Sequence, residues 1–325
     1  FGANGVIGYF DEYNHEEAEV AVTCRGATCG TVNFTEPRSW ITGNAMVLKP
    51  KENNLNKRYL FFLLRSTDLS SVITGAAQPQ ITGSALKPFL IPLPPLEIQE
   101  HIVAELDGYA SIIAGAKQIA ENWKPKIDID PEWEKVKIGD ICIIGDGNHS
   151  SKYPRSDEMV AAGVPFIRGV NMIDGKIVDE NLIFISPEKH QQLKKGHLKT
   201  GDILFSNRGE IGKVAYVDEG FNGANLNSQL AWLRSKEKIQ PKYLISILMS
   251  DYTQDQLLLL KQGATLQQFT IKQLSSFEIP LPPLEIQEQI VEKIEAERIL
   301  VESSKKLIDI YDQKTKETIS KLWNE

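Results

Sequence analysis

Apolar residues recur along two stretches of this chain at alternating intervals of four and three. In the first stretch, Ile102, Leu106, Tyr109, Ile113, Ala116, Ala120 and Trp123 fall on one line of a helix. In the second, Ile290, Ile294, Val301, Ile308 and Tyr311 do so, with Glu297 and Ser304 as polar interruptions on the same line. The spacing predicts two long helices, each with a narrow heptad seam. A seam this narrow and long suits a partner helix better than the broad face a helix turns to its own domain. The two helices are natural partners for each other, running antiparallel. Each is preceded by the residues PLPP, whose prolines forbid helix and hold the chain extended up to the first turn. Elsewhere, short apolar runs at 202–205 and 213–217, punctuated by Gly and Asn, predict strands, and the Leu-rich run 242–261 predicts a helix. The pattern is mixed α/β, in the order globular part, long helix, globular part, long helix.

Internal repetition explains that order. Residues 91–100 read IPLPPLEIQE, and residues 279–288 read the same ten letters 188 positions later. Ile102 and Val103 continue the match with Ile290 and Val291, and upstream Gly75, Gln80, Thr82 and Leu86 match Gly263, Gln268, Thr270 and Leu274. Further back the register shifts by a few residues, as surface insertions allow. Lys57-Arg58-Tyr59-Leu60 resembles Pro241-Lys242-Tyr243-Leu244, and Thr23-Cys24-Arg25-Gly26 resembles Ser206-Asn207-Arg208-Gly209. The chain reads as one unit duplicated, the second copy starting near Pro131 after the break at Lys124-Pro125. An offset of about 184 sets Phe1 opposite residue 185, so roughly 50 residues of the first copy are expected to be missing. The opening FGANGVIGYF has neither an initiator Met nor the pattern of a signal peptide.

Bulk properties narrow the classes of function. At 325 residues with 42% hydrophobic and 24% charged positions, the chain can build two globular cores. It has no run of the ~20 apolar residues that span a bilayer, which argues against a membrane protein. Cys24 and Cys29 have no second Cys pair and no nearby His to complete a zinc site, so small apolar packing is the expected role and a reducing cytoplasm the expected setting. The net charge of −7 speaks mildly against nucleic-acid binding. The charge is segregated, however. Between Ser186 and Lys213 lie Lys189, Lys194, Lys195, Lys199, Arg208 and Lys213 against Glu188, Asp202 and Glu210, whereas the stretch from Glu285 onward is rich in Glu.

These features resemble the specificity subunits of type I restriction–modification systems. The resemblance rests on PLPPLEIQEHIV and PLPPLEIQEQIV running into long helices, on GDILFSNRGEIGK at 201–213, on GVPFIRGVN at 163–171 and on GDGNH at 145–149. It covers essentially the whole chain, and the doubled PLPPLEIQE carries most of it. The departure is the shortened first copy, which leaves two parents open: a separate subunit, or the specificity region of a single-chain restriction–methyltransferase enzyme. The resemblance implies a non-catalytic protein that reads a bipartite target in double-stranded DNA. Two target-recognition domains in pseudo-repeat would be separated by two long antiparallel coiled-coil helices. The expected boundaries are 1–95 for the first domain, 96–124 for the central spacer helix, 125–283 for the second domain and 284–325 for the distal helix. Two adenine methyltransferase subunits would dock and carry the S-adenosylmethionine, this chain holding no cofactor, and a restriction/translocase subunit is a further candidate partner. A 27-residue spacer helix is about 40 Å long, about 12 base pairs of duplex, so the domains would address one face of the DNA about a turn apart.

Reading a sequence needs side chains that reach base edges and others that hold phosphates. Ser206, Asn207 and Arg208 sit at a strand-to-turn junction where a guanidinium could meet guanine or phosphate, with Thr23 and Arg25 as counterparts in the first copy and Lys213 close behind; pairing with a local carboxylate such as Glu210 is the alternative. His149, Lys152, Tyr153 and Arg155 form a polar loop that could enter a groove or simply be solvated. Arg168 and Asn171 flank a strand turn and read equally as structural or contacting. Gln267 and Gln268 could face adenine, though turn polarity alone accounts for them. A metal role for His149 lacks a second ligand at suitable spacing.

Two rival functions stay in view. An adenine methyltransferase needs an aromatic-Pro-Pro-aromatic loop, whereas both Pro-Pro pairs here are flanked by Leu, and the early Gly2, Gly5 and Gly8 read as a loop. A coiled-coil scaffold without DNA contact explains the helices but not two α/β parts each carrying an Arg-Gly turn.

Overall fold

The structure is a computed structural model that describes residues 1–2, 5–75, 77–149, 152–262 and 268–323. The chain divides into two compact units, one made of Phe1–Glu121 with Val301–Glu325 and the other of Asn122–Leu300.

The first unit is built on a three-stranded antiparallel sheet in the order β2-β1-β3, with β1 at Val20–Thr23, β2 at Val32–Phe34 and β3 at Ala45–Leu48. Val20 faces Phe34 on one side and Leu48 on the other. Helix α1, Lys57–Arg65, closes one face of the sheet and buries Tyr59 through Leu64. It starts where it does because the Asn56 side chain accepts from the backbone N–H groups of Arg58 and Tyr59, two of the donors a helix start leaves free. A short turn α2, Gly83–Leu86, capped by Thr82, adds Leu86 to the core. The extended Pro-rich segment then enters α3, Leu96–Asn122. The end of the last helix of the chain returns to this unit: Phe89 meets Trp323 with ring centroids 6.2 Å apart, and Tyr109 meets Tyr311 at 5.2 Å. As the number rises from Phe89 to Tyr109 that of the partner falls from Trp323 to Tyr311, so the two chain segments run in opposite directions here.

The second unit is larger. It opens with β4 at Lys135–Lys137, the single turn α4 at Ile138–Ile141 and β5 at Cys142–Asp146. Short strands follow at Met159–Val160 (β6), Val164–Ile167 (β7), Met172–Ile173 (β8), Gly175–Ile177 (β9) and Ile183–Ile185 (β10), then helix α5 at Pro187–Gln192. Next come β11 at Ile203–Ser206, β12 at Val214–Tyr216, β13 at Asn225–Leu226 and β14 at Leu230–Ser235. The unit ends with α6 (Pro241–Met249), α7 (Asp251–Gln262), α8 (Ile271–Ser276), β15 (Glu278–Pro280) and the start of α9 (Leu284–Leu322). Six strands form a mixed sheet in the order β5-β14-β11-β12-β9-β8, and four form a second in the order β13-β7-β10-β6. Alternation along β11 explains why the larger sheet is apolar on both faces. Ile203 and Phe205 point into a core shared with α6 and α8, while Leu204 points into a second core with Ile167 and Leu226.

One expected element differs. The run 242–261 forms two helices, not one, because Ser250 is extended (ψ 156°) and its carbonyl accepts from the N–H groups of Thr253 and Gln254, restarting the helix. Both long helices appear where the heptad spacing puts them. Every predicted seam residue, the polar Glu297 and Ser304 included, is buried or half-buried. Cys142 is buried in the core, which pushes its thiol up to about 12, while Cys24 and Cys29 are half-buried; all three are free thiols.

The repeated segments make the same hydrogen bonds. Gln99 donates to the carbonyls of Asn54 and Pro94 and accepts from the N–H of Asn56; Gln287 donates to those of Lys238 and Pro282 and accepts from that of Gln240. The Tyr59 hydroxyl donates to the carbonyl of Pro92, and that of Tyr243 to the carbonyl of Pro280.

Candidate nucleic-acid interface

Strand β11 of the second unit ends in a tight turn, Asn207-Arg208-Gly209, that returns into β12. The turn depends on Gly209 (φ +70°) and Gly212 (φ +92°), whose left-handed backbone strains any other residue. At Gly212 a Cβ would also lie 2.8 Å from Leu257. The turn is held from several sides. The Ser206 hydroxyl donates to the carbonyl of Arg208 (2.9 Å), and the N–H of Gly212 to the carbonyl of Ser206 (3.0 Å). The N–H of Asn207 donates to the carbonyl of Gln229 (3.1 Å), and the N–H of Phe269 to that of Asn207 (2.8 Å). So fixed, Arg208 is half-buried and donates from its guanidinium to the side-chain oxygen of Gln268 at 2.9 Å.

Beside the turn lies an open cleft of about 390 Å³ whose polar lining includes Arg168, Arg208, Lys213, Glu210, Asn227 and Gln229. Three cations face one carboxylate, and Glu210 is held by Lys213 at 3.0 Å. Arg168 stands at the end of β7. Its guanidinium donates to the carbonyl of Asn181 (2.6 Å), while its buried Nε has no hydrogen-bond partner. A cleft with fixed guanidinium groups, an ammonium and two carboxamides carries the donor and acceptor types that contact phosphate oxygens and base edges.

The other expected residues are distributed as follows. Ser206 lines the cleft, and Gln268 reaches it through Arg208. Asn207 and Asn171 are buried; Asn171 accepts from the N–H of Arg168 and donates to the carbonyl of Glu180, so it shapes the turn that presents Arg168. Tyr153 packs edge-on against Phe166 with centroids 5.8 Å apart. Lys152 and Arg155 are exposed, and the Arg155 N–H donates to the Glu158 carboxylate. His149 lies 3.5 Å from Asp146, which also binds Lys195 at 2.8 Å. These four residues do not line the cleft. In the first unit Thr23 is fully buried on β1, and Arg25 is exposed and bridges to Gln80 as Arg208 does to Gln268. Gln267 lies outside the described residues.

Sequence reasoning missed Asn227 and Gln229. Their one signal is a polar interruption, NSQ, between apolar runs; what brings them to Arg208 is the register of β14 on β11, which sets Leu230 opposite Ser206. The glycines of GDGNH have a packing reason: a Cβ on Gly147 would lie 1.9 Å from the carbonyl oxygen of Asn227.

A family model for the type I restriction modification DNA specificity domain matches residues 1–122 and 131–309. The chain belongs to this family. Among curated relatives, the type I restriction enzyme MjaVIII specificity subunit of Methanocaldococcus jannaschii is 26% identical over 321 residues, covering 89% of this chain and 74% of that protein. The EcoBI specificity subunit of Escherichia coli is 23% identical over 287 residues, covering 76% and 60%. The fold is shared with the crystal structure of a type I restriction–modification S subunit from M. genitalium, at a TM-score of 0.61 and 15% identity over 99% of this chain and 87% of that one. Specificity subunits are the non-catalytic members of type I systems, and this chain is one by descent. Among its described residues no group of three or more His, Cys, Asp and Glu could hold a metal ion, and no helix is long and apolar enough to cross a membrane.

Proposed function

We propose that this specificity chain reads a two-part sequence in double-stranded DNA and docks two adenine methyltransferase subunits. The reading assigns residues 1–95 and 125–283 to two target-recognition domains and residues 96–124 and 284–325 to an antiparallel coiled-coil spacer. The S-adenosylmethionine belongs to the methyltransferases, and a restriction/translocase subunit is a further partner. The observation that carries the reading is the cleft beside the Asn207-Arg208-Gly209 turn, where Arg168, Arg208 and Lys213 converge with Asn227 and Gln229. The repeated Arg-Gly turn at Arg25 supports a second reader in the first unit, and the 27 residues of α3 suit half-sites about one duplex turn apart.

The test uses the chain assembled with its methyltransferase. Methylome sequencing of cells expressing the complex is expected to give one bipartite adenine-methylated motif. Arg208→Ala is expected to weaken specific binding by about 1–3 kcal/mol and to relax the motif in one half only. Lys213→Ala is expected to weaken all sequences alike and to lower the salt slope by about one charge. A methylome without a split motif, or Arg208→Ala binding at the wild-type level, would overturn the reading.

A further inference from the structure

In each unit the Arg-Gly turn is joined by a second short turn that leads into the neighbouring strand. In the second unit this is residues 227–230: the N–H of Leu230 donates to the carbonyl of Asn227 (3.4 Å), and the Gln229 carbonyl accepts from the N–H of Asn207 (3.1 Å). In the first unit residues 42–45 do the same. The N–H of Ala45 donates to the carbonyl of Thr42 (3.1 Å), and the Asn44 carbonyl accepts from the N–H of Cys24 (2.9 Å). The registers agree, with Leu230 opposite Ser206 on β11 and Ala45 opposite Thr23 on β1. On the other side, the N–H of Phe269 donates to the carbonyl of Asn207 (2.8 Å), and that of Ile81 to the carbonyl of Cys24 (3.0 Å). The letters hide this likeness: NSQL and TGNA share none in register.

Each unit therefore sets a carboxamide, Gln229 or Asn44, next to its arginine, Arg208 or Arg25, at one and the same place in the fold. Both carboxamide residues are exposed, and among the described residues neither side chain has a hydrogen-bond partner. The other amides near Arg208 are committed. The Asn227 side-chain oxygen accepts from the N–H of Gln229 (3.2 Å), an Asx turn that fixes the Gln229 backbone. The Gln268 oxygen accepts from Arg208 (2.9 Å) and holds one end of its guanidinium. Chemistry separates the groups that are left. A guanidinium has donors only and matches the two major-groove acceptors of guanine. A carboxamide has a donor and an acceptor side by side and matches the amino group and N7 of adenine. Neighbouring strands lie about 4.8 Å apart and base pairs about 3.4 Å, so side chains from adjoining strands reach base pairs that are adjacent or nearly so.

We propose that Gln229 and Asn44 are specificity-determining residues, each reading an adenine in the half-site its unit faces, beside the base met by Arg208 or Arg25. The inference rests on the DNA reading proposed above and adds which groups choose the bases: each half-site holds an adenine–thymine pair selected by a carboxamide. Gln268 is not a reader but a positioning residue for Arg208.

The test uses the chain assembled with its methyltransferase and sequences the methylomes of cells expressing wild type, Gln229→Ala or Asn44→Ala. Each variant is expected to keep the split motif and its gap, and to relax one adenine–thymine pair other than the methylated one. Gln229→Ala should do so in the half that Arg208→Ala relaxes, and Asn44→Ala in the other half. Competition between duplexes carrying the motif and its single-pair variants should show discrimination at that pair falling about five- to a hundredfold. Gln229→Arg, which replaces the acceptor by a donor, should shift the preference there to guanine–cytosine. Relaxation at a guanine–cytosine pair, or equal weakening on every duplex as a phosphate contact would give, overturns the proposal. A split motif that either variant leaves unchanged overturns it alone, whereas a wild-type methylome without a split motif overturns it together with the reading it rests on. Should Gln229→Ala fail to assemble, Gln229→Met, similar in length and without hydrogen-bonding groups of that kind, gives the same readout.

Discussion

Asp202 is fully buried, and its two carboxylate oxygens accept from Nε and a terminal nitrogen of Arg234 at 2.7 Å each, while one also accepts from the N–H of Lys199. Arg234 in turn lies over the Trp232 ring at 4.7 Å, and the carboxylate raises its guanidinium above the usual value. Removing one member strands the other's charge, so Asp202→Ala should cost about 3–5 kcal/mol in a denaturant melt, while Glu210→Ala on the neighbouring exposed pair should cost under about 1 kcal/mol. His190 and His197 form a second tight pair, with ring nitrogens 3.0 Å apart. Burial and the neighbouring ring hold His190 below the ordinary histidine value. Its neutral form is therefore favoured by folding: the stabilisation is complete above pH of about 6.5 and is lost as pH falls toward the lower folded value. Thermal melts between pH 7 and 5 should show a decline that His190→Gln flattens. At this scale the sequence was least informative. Lys213 and Arg208 could be singled out as cations near a glycine turn, but that Asn171 and Asn207 would be buried supports, and Tyr153 a packing ring, depends on strands distant in sequence.

Among the elements, the entries to the two long helices are the most alike. Gln287 is fully buried and ties the Pro-rich exit to the loop before α6 through three hydrogen bonds, as Gln99 does before α1. Gln287→Leu would keep the volume but leave backbone groups unpaired, so a loss of about 2–4 kcal/mol in the second unit is expected, read by calorimetry. The helices themselves were legible because a heptad seam is a long, local signal. Even the polar breaks had meaning: Glu297 accepts from the indole N–H of Trp123 at 3.1 Å, two seam residues pairing with each other. The strands of the second unit were mostly hidden. β6, β8 and β13 have two residues each, too few for alternation to register, and the parallel pairings of β12 with β9 and β13 with β7 follow from tertiary packing alone.

For the whole molecule, the proposed spacer makes a quantitative demand. A heptad inserted into each long helix, after Ala116 and after Ser303, adds about 10 Å while keeping the seams in phase. The unread gap of the methylated motif should then grow by about three base pairs, with both half-sites unchanged; a motif of unaltered gap would show that helix length does not set it. Ten identical letters made the repeated Pro-rich entries to the two long helices legible, whereas the part that the end of α9 plays in the first unit was not. Ile319, 2% exposed, belongs to the core of the first unit, although almost three hundred residues separate it from Val20 in that same core. A ribosome making this chain emits the first unit's sheet early but the wall that carries Ile319 only after the whole second unit. The first unit must therefore wait, half-walled, while the second is synthesised and folds ahead of it. Emergence of the end of α9, and not of the amino-terminal half, is the event that lets the earlier-made unit close.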